Sequence, residues 1–343
     1  MKICLLTDTH WGCRNDNQYF YDFQKKFLDN IFFPYLKKEG IEQIVHLGDL
    51  VDNRRHINIQ TAKRLREDFI EPLENNNIEM DIIVGNHDVY YKNTNIVNAL
   101  DELGLDTYEN IHVFRHHPHE ASYGLLVPWI SSYNREESLN MIKNSKSKYC
   151  FGHFELKGFE IGKGRISNVG LDITNGIFNN FTNVFSGHYH TRSRNSNICY
   201  IGSCFPFTWA DYGDYRGFAV LDTETEKIKF IKNPYNIFSR IEYDEDNLIA
   251  FDRSIIENTY CRVKVIKKES QSNFNDFISK IQDIGVIDLI IDDFPVKIDI
   301  SETAGETDNT IDFFRRAIDD IEFENKNSVK ELTEKIYQEA LEV

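Results

Sequence analysis

The sequence predicts an α/β fold in which two packed sheets are flanked by helices. Short apolar runs of strand length recur through the first 235 residues, and Gly, Asp or Asn bounds most of them. Segments with helical spacing at 19–39, 61–75 and 135–143 separate several of these runs, as in a sheet with helical crossovers. The later strands lie close together, which favours an antiparallel meander there. The predicted strands are 2–6, 43–47, 80–84, 123–127, 149–151, 183–185, 198–201 and 218–221.

A smaller unit is predicted after the Lys-Asn-Pro segment at 232–234. It comprises a strand at 260–266, an amphipathic helix near 273–284 and a strand at 286–291. Beyond a Ser-, Thr- and acid-rich stretch at 301–309, apolar residues recur with helical spacing and predict two amphipathic helices. Those helices either pack on their own domain or bind a partner, and the preceding linker favours a partner. Their apolar positions are Ile311, Phe314, Ile318, Ile321, Val329, Leu332 and Ile336.

The net charge of −16 is concentrated in the C-terminal third of the chain. Residues 241–343 contain 25 acidic and 12 basic residues, which leaves residues 1–240 at only −3. Net charge bears on solubility and on partners rather than on the fold. The N-terminal part is therefore close to neutral and could present a local basic surface.

Cysteine usage and hydropathy indicate the cellular setting. The six cysteines are scattered singly without a C-x-x-C pair, which argues against a zinc ribbon or a disulfide framework and fits a reducing compartment. The first six residues are too short for a signal-peptide core, and no uncharged apolar run approaches the ~18 residues of a membrane span. We therefore expect a soluble protein in the cytoplasm, or in the host cytoplasm if the source is a phage.

Five predicted strands end in residues that can bind a metal ion, usually after a glycine. The carboxyl ends of strands are where sites form in α/β sheets, and glycines allow the tight turns that aim the next side chain into the crevice. Each motif alone is weak evidence, but five in succession make coincidence an unsatisfactory explanation. The motif residues are Asp8 and His10, Asp49, Asn86 and His87, His153, and His188 and His190.

The donor types narrow the metal and the reaction. Carboxylates, an amide oxygen and imidazoles without a thiolate suit Mn²⁺, Fe or Zn rather than Ca²⁺ or a structural zinc. Seven ligands are too many for one ion but suit two ions bridged by Asp49. Two such ions acidify a water molecule and clamp both oxygens of an in-line displacement at phosphorus. The sequence thus predicts hydrolysis of a phosphate ester.

The order D-x-H, G-D, G-N-H-D, G-H, G-H-x-H resembles that of the calcineurin-like metallophosphoesterases over residues 1–222. Segments 46–52, 152–159 and 200–226 are further similar to the nuclease subunits of double-strand-break repair complexes (the SbcD type), and more narrowly to the small subunits of bacteriophage recombination endonucleases. The resemblance implies a two-sheet metallophosphoesterase sandwich with a small α+β capping domain and C-terminal helices. The implied domains are a nuclease domain at 1–235, a capping domain forming a DNA groove at 236–300, and an acidic linker with partner-binding helices at 301–343.

The same resemblance distributes the residues between two ion sites. Asp8, His10, Asp49 and His190 would hold one ion, and Asp49, Asn86, His153 and His188 the other. His87 would be the catalytic residue that assists the phosphate or protonates the leaving group, as an imidazole can near neutral pH. Asp88 either orients His87 or closes the turn. The implied cofactors are two divalent ions, Mn²⁺ foremost with Mg²⁺ as the alternative.

DNA is the expected substrate, because basic clusters flank two metal motifs. A basic run follows Asp49, and Arg192 and Arg194 follow His190. Such clusters bind phosphate backbones, although each alone is also compatible with a solvated face. The basic run comprises Arg54, Arg55, His56, Lys63, Arg64 and Arg66. The resemblance implies a DNA exonuclease and endonuclease that pairs with an SMC-like coiled-coil ATPase (SbcC type) as a homodimer within a heterotetramer. The alternatives are a phosphodiesterase or phosphatase acting on nucleotides or phosphoproteins, and a non-cleaving subunit that positions an ATPase on DNA.

Overall fold

The computed structural model describes residues 1–247 and 252–293, together with Ile318 and residues 326–330 and 332–333. Its strands, in chain order, are β1 (Lys2–Leu6), β2 (Gln43–His46), β3 (Glu79–Ile83), β4 (Ile111–Phe114), β5 (His119–Ala121), β6 (Gly124–Val127), β7 (Tyr149–His153), β8 (Glu160–Gly162), β9 (Arg165–Ile166), β10 (Asn183–Gly187), β11 (Ser193–Asn195), β12 (Ile198–Tyr200), β13 (Gly217–Asp222), β14 (Lys227–Lys232), β15 (Phe238–Asp244), β16 (Tyr260–Lys267) and β17 (Asp288–Asp292). Every strand predicted from the sequence is present, with its bounds shifted by at most two residues.

Two six-stranded sheets form the main body, which confirms the predicted α/β class. The first sheet has the order β14-β13-β1-β2-β3-β4, and the second has the order β11-β12-β10-β7-β6-β5. Strands β1 to β4 run parallel, whereas β13 pairs antiparallel with β1 and β14 antiparallel with β13. Because β1, β2 and β3 are parallel, the motif residues that follow them emerge at one edge of the sheet.

The expected antiparallel meander of the later strands is wrong. Strands β6, β7, β10 and β12 are mutually parallel, and only the edge strands β5 and β11 run the other way. Long connections return the chain to the same end of the sheet before β7 and before β10, which parallel pairing requires. The consequence is that His153 and His188 also emerge together at the carboxyl ends of their strands.

Helices cover the outer faces of the sandwich. Two long helical segments lie against the first sheet, and each contains one wider π-helical turn just before a proline, Pro34 or Pro72. A proline has no N–H to donate to the preceding turn, so the hydrogen-bond pattern shifts at that point. The helices and helical turns are Gln18–Phe27, Leu28–Phe32, Phe33–Glu39, Ile59–Leu65, Arg66–Ile70, Glu71–Asn75, Ala99–Glu102, Leu105–Thr107, Arg135–Asn144, Trp209–Asp211, Arg253–Ile256 and Gln271–Ile284.

Alternating side chains along the strands build the core on both faces of each sheet. Along β1, Ile3 and Leu5 pack between the two sheets, whereas Cys4 and Leu6 pack beneath the helical layer. All six cysteines are buried and unpaired, as a structure without a disulfide framework requires. The strands are thus held from both sides, and their ends provide rigid positions for the motif residues.

The smaller C-terminal unit is a three-stranded parallel sheet, β15-β16-β17, with the helix Gln271–Ile284 packed on it. Tyr243, Phe274 and Phe277 form the centre of its core. Ile318 and residues 326–330 and 332–333 are helical, but most of the two predicted C-terminal helices lie outside the described residues. In the described parts of the chain, no helix has the length and apolar character that crossing a membrane requires.

Candidate metal centre

The seven predicted ligands converge where β1, β2, β3, β7 and β10 end. Imidazole and carboxylate groups lie close enough together there to share a cation, with their ligand atoms within 4.8 Å of one another. The groups of this kind among the described residues are Asp8 with His10 and His190, Asp49 with His153 and His188, and His10 with Asp52 and His87. The first two groups correspond to the two ion sites expected from the sequence, and the third adds Asp52, for which no role was predicted.

The first half of the centre, here called the His153 half, is built around the Oδ1 atom of Asn86. This oxygen lies 2.9 Å from Nε2 of His153 and 2.7 Å from Nδ1 of His188. The other ring nitrogen of His153, Nδ1, donates to the carbonyl oxygen of Leu47 at 2.7 Å. In a neutral ring, Nε2 therefore directs a lone pair toward two acceptors, Asn86 and the Asp49 carboxylate 3.3 Å away. Either a proton on Nε2 or a cation among these three atoms removes the repulsion between them.

The second half, the His10 half, brings two imidazoles together. Nε2 of His10 and Nε2 of His190 lie 3.1 Å apart. Oδ1 of Asp8 lies 3.9 Å from the first nitrogen and 3.7 Å from the second, and Asp49 Oδ2 lies 3.8 Å from His10 Nε2. On the far side of the ring, His10 Nδ1 is 3.1 Å from Oδ1 of Asp52. These donors fit a second divalent cation, with Asp49 between the two halves.

Burial of two carboxylates makes this edge of the protein strongly favourable for positive charge. Asp8 and Asp49 are 0% and 1% exposed, and the basic groups close to them are imidazoles. Burial by itself raises the pKa of Asp49, but the adjacent His153 outweighs burial and holds that pKa well below its usual range. Burial likewise lowers the pKa of His153, and the Asp49 charge more than compensates, raising it to about 9. Carboxylate, amide and imidazole donors of this kind fit divalent metal ions.

Several ligand-type residues are held in a backbone conformation that L-amino acids rarely adopt. Asp8, His10, Asp49 and His188 have φ angles of 50°, 45°, 55° and 88°. Such left-handed residues persist only where the surrounding structure fixes them, and they cluster at functional sites. Here the Asp8 N–H donates to the Gly48 carbonyl at 3.0 Å, and the His188 N–H donates to the Asp8 carboxylate at 3.2 Å. The strain thus falls on the residues that carry the donor atoms.

His87 lies beside the His10 half. A hydrogen bond to the protein holds one of its ring nitrogens, and the other ring nitrogen takes no part in that bond. Its Nδ1 lies 2.6 Å from the backbone carbonyl of Asp52, and a carbonyl can only accept, so Nδ1 carries a hydrogen. Its backbone N–H donates to Oδ1 of Asp49 at 2.7 Å, and its ring packs edge-on against His10 with centroids 4.8 Å apart. The half-buried ring therefore presents Nε2 as the atom that can exchange a proton with a bound molecule.

Comparison with known proteins agrees with this fold. Residues 1–192 match the calcineurin-like phosphoesterase family. The chain belongs to that family. It is 35% identical over 289 residues to exonuclease subunit 1 of Enterobacteria phage T4, which covers 83% of this chain and 82% of that protein. It is also 26% identical over 263 residues to the SbcD subunit of the nuclease SbcCD from Staphylococcus epidermidis, which covers 66% of this chain and 67% of that protein.

Asp88 of this phosphoesterase closes the turns rather than orienting His87. Its carboxylate accepts the backbone N–H groups of Asp49, Val51 and Gly85 at 2.9, 3.1 and 2.8 Å. Burial first, and then the charge of Asp49, raises the pKa of Asp88 to about 6. This carboxylate binds the loop after β2 to the loop after β3, which fixes Asp49 relative to Asn86.

Two residues that position the ligands were missed from the sequence. Asp52 contacts His10 with its side chain and His87 with its carbonyl, although 42 and 35 positions separate the partners. Arg216, which is 4% exposed, donates to the carbonyl of His190 and to Oγ of Ser203. An arginine that is buried and hydrogen-bonded holds its neighbours firmly. The acidic residue after the G-D motif was a signal for Asp52, but no local pattern marks Arg216.

The four arginines predicted to contact DNA occupy different surroundings. Arg54 and Arg55 lie two and three residues after Asp52, whose side chain contacts His10, and Arg54 is partly buried whereas Arg55 is exposed. The guanidinium of Arg192 lies over the Phe230 ring, 4.3 Å from its centroid. Arg194 lies instead toward the amino end of β10, because β11 runs antiparallel to β12. Its guanidinium donates a hydrogen bond there to Oδ1 of Asn183, the first residue of β10, at 3.1 Å. Proximity to His190 in sequence thus does not place Arg194 at the metal centre.

Proposed function

We propose that this phosphoesterase is a metal-dependent DNA nuclease that hydrolyses phosphodiesters. The observation that carries the proposal is the pair of donor groups at the strand ends of a phosphoesterase fold, one containing Asp49 and the other containing His10, which lies 3.8 Å from Asp49. The names of the relatives, an exonuclease subunit and a nuclease subunit, support DNA as the substrate. Exonuclease and endonuclease action together form the full proposed activity.

The donor atoms suit two ions, for which Mn²⁺ is the proposed metal. Asp8, His10 and His190 would hold one ion, Asn86, His153 and His188 the other, and Asp49 both. Bound divalent ions supply positive charge to a phosphoryl group and acidify water. The chain contributes fixed orientation: the Leu47 carbonyl sets the ring of His153, as hydrogen-bond partners of metal-binding imidazoles commonly do.

His87 is the proposed catalytic residue, because it can hold a proton at a defined atom. Its Nδ1–H is engaged by the Asp52 carbonyl, so a protonated ring exposes Nε2–H toward the crevice. From there it can donate a hydrogen bond to a phosphate oxygen or a proton to the leaving oxygen, steps to which a positioned histidine contributes about 10²–10⁴-fold in rate.

Cleavage of end-labelled single-stranded and duplex DNA in Mn²⁺, by wild type and by His87→Ala, tests the proposal. We expect wild type to cut and the variant to be slower by roughly 100-fold or more. His112→Ala is the matched control, because His112 is an exposed histidine on β4 that pairs with Glu79. A variant that cuts as fast as wild type would refute the role of His87. Hydrolysis of a small diester without any cleavage of DNA would favour a nucleotide phosphodiesterase.

A partner subunit is the second part of the proposal, since both relatives are named as subunits. We propose that residues 301–343 bind an SMC-like ATPase and that residues 236–300 form a capping domain beside the DNA. Deleting residues 308–343 should abolish co-purification with the ATPase but preserve Mn²⁺-dependent cleavage of short single-stranded DNA. Retention of the ATPase by the truncated chain would contradict this assignment.

A further inference from the structure

One loop between β12 and β13 carries three aromatic residues at regular spacing. Trp209, Tyr212 and Tyr215 are separated by three positions each, and we call residues 205–216 the aromatic loop. None of the three belongs to the fully buried core: Trp209 and Tyr212 are partly exposed, and Tyr215 is 58% exposed. Trp209 and Tyr212 pack partly against the main core, with Trp209 4.9 Å from the Phe238 ring, so burial accounts for part of these two rings but not for Tyr215.

Each of these rings has a basic side chain over it, and each cation comes from a different part of the fold. The Arg262 guanidinium on β16 lies 4.5 Å from the Trp209 centroid, and that of Arg240 on β15 lies 5.6 Å from the Tyr212 centroid. Tyr215 has two cations: Lys232 of β14 at 4.9 Å and Arg192 at 5.1 Å. The loop thus alternates aromatic faces with positive charges from the phosphoesterase body to the small C-terminal unit.

The base of the aromatic loop is attached to the His10 half of the metal centre. The Phe207 ring packs edge-on against the rings of His10 and His190, with centroids 5.1 and 5.3 Å apart. Arg216, at the other end of the loop, donates to the His190 carbonyl and to the carboxylates of Asp211 and Asp214. The loop is therefore preorganised, and it begins and ends beside a proposed metal ligand.

The charges along the loop are largely free to meet a polyanion. Arg262 is paired with Asp292 at 3.6 Å. For Arg192, Lys232 and Arg240, the ion pairs found within the described residues include no acidic partner. Lys232 and Arg240 are also exposed. In a chain with a net charge of −16, this local concentration of unpaired cations stands out.

We infer that the aromatic loop with its four cations, the aromatic-cation tract, binds the single strand that extends from the metal centre. Aromatic faces that stack bases, interleaved with cations that follow the backbone, are how proteins hold single-stranded nucleic acid without reading its sequence. In a duplex the base faces are covered by their neighbours and cannot stack on these rings. The inference rests on the proposed nuclease function and specifies how that site receives its substrate.

Binding of a fluorescent 12-nucleotide oligo-dT to the full-length chain in EDTA, measured by anisotropy, tests the tract. Tyr215→Ala and Tyr212→Ala should each weaken binding about 5- to 100-fold, the range for loss of one stacked base. Arg240→Gln removes an exposed charge without disturbing the core, and it should lower the salt dependence of binding by about 0.7 in the log–log slope. The tyrosine variants should leave that slope unchanged.

A matched control comes from a cation–π pair on the helical layer, Lys229 over Tyr35 at 5.4 Å. Lys229→Gln should bind oligo-dT as wild type does. The proposed role of the tract would be refuted if Tyr215→Ala, Tyr212→Ala and Arg240→Gln all bound oligo-dT with wild-type affinity. It would also be refuted if the control variant lost as much affinity as they do. If the variants bind oligo-dT normally but lose a co-purifying protein, the surface serves a protein partner instead. Failure of wild type itself to bind or cut DNA would instead refute the proposed nuclease function.

Discussion

The two halves of the metal centre are held in place by different means. In the His153 half, the ring of His153 is oriented by the main-chain carbonyl of Leu47, which directly follows β2 in the other sheet. In the His10 half, charged side chains hold the ligands instead, because Asp52 lies against His10 and Arg216 donates to the carbonyl of His190. His190 is also the more accessible ligand, with a side chain 34% exposed against 17% for His188.

This difference teaches which changes each half can tolerate. A half fixed by main chain depends on how closely the loops at the strand ends approach one another. Glycines allow that approach, so substituting them should disturb this half most. A half fixed by side chains depends on charge and can be altered one residue at a time. Four substitutions, ordered from the largest expected effect to the smallest, distinguish dependence on close main-chain approach from dependence on side-chain charge.

Gly85→Ala should have the largest effect, because it acts on the ligand that both halves share. A Cβ at position 85 would overlap Oδ1 and the backbone nitrogen of Asp49. Displacing a catalytic group by about 1 Å costs on the order of 100-fold in rate. Mn²⁺-dependent DNA cleavage measures this loss. Gly40→Ala, at the end of the helix Phe33–Glu39, is the control, since it strains a left-handed glycine (φ 61°) but a Cβ there has no neighbour within 4 Å, and it should retain activity.

Arg216→Met should destabilise the His10 half, because Arg216 donates a hydrogen bond to the backbone of His190. The methionine fills part of the space but removes the hydrogen bonds that Arg216 donates to Asp211, Asp214 and the His190 carbonyl. Loss of several charged hydrogen bonds should lower the free energy of unfolding by about 3 kcal/mol, seen as a lower urea midpoint. Arg64→Met, which removes a surface arginine, should change it by less than about 1 kcal/mol. Equal midpoints in the two variants would count against a structural role for Arg216.

Asp52→Ala should weaken metal binding in one half and spare the other. It removes the carboxylate beside His10 Nδ1 but keeps the carbonyl that orients His87. Loss of such an outer partner typically lowers metal affinity about 10- to 100-fold. Calorimetric titration with Mn²⁺ should show one of two binding steps weakened. Asn53→Ala, at the next position, should leave both steps intact, and two equally weakened steps would contradict the division into halves.

Glu155→Gln should have the smallest effect, although it too removes a carboxylate beside a proposed ligand. Glu155 Oε1 lies 3.9 Å from His188 Nε2, and its side chain is 40% exposed. Exposed ion pairs contribute about 0.2–1 kcal/mol, so metal affinity should fall by no more than about 5-fold. The same titration decides the point, and a loss as large as that of Asp52→Ala would show that charge supports the two halves equally.

The residues predicted to bind metal lie together in the structure because each is within a few residues of a strand end. Asp8, Asn86 and His153 are encoded by local motifs, and the apolar runs before them are long enough to read as buried strands. Arg194 illustrates the limit of such reasoning. It lies four residues after His190, but the reversal of the chain into β11 carries it away from the centre. The sequence contains no signal strong enough to predict that reversal.

The local pattern by itself determined the α/β class and the phosphoester chemistry and selected the seven proposed donor residues, because strand periodicity and donor type are properties of neighbouring residues. Only the tertiary structure decided the parallel pairing of the second sheet, which brings His153 and His188 to the edge that holds Asp49. It also decided the support of each half by Leu47, Asp52 and Arg216, and the meeting of Arg240 with Tyr212. Contacts between residues far apart in sequence arise from packing, and no motif encodes them.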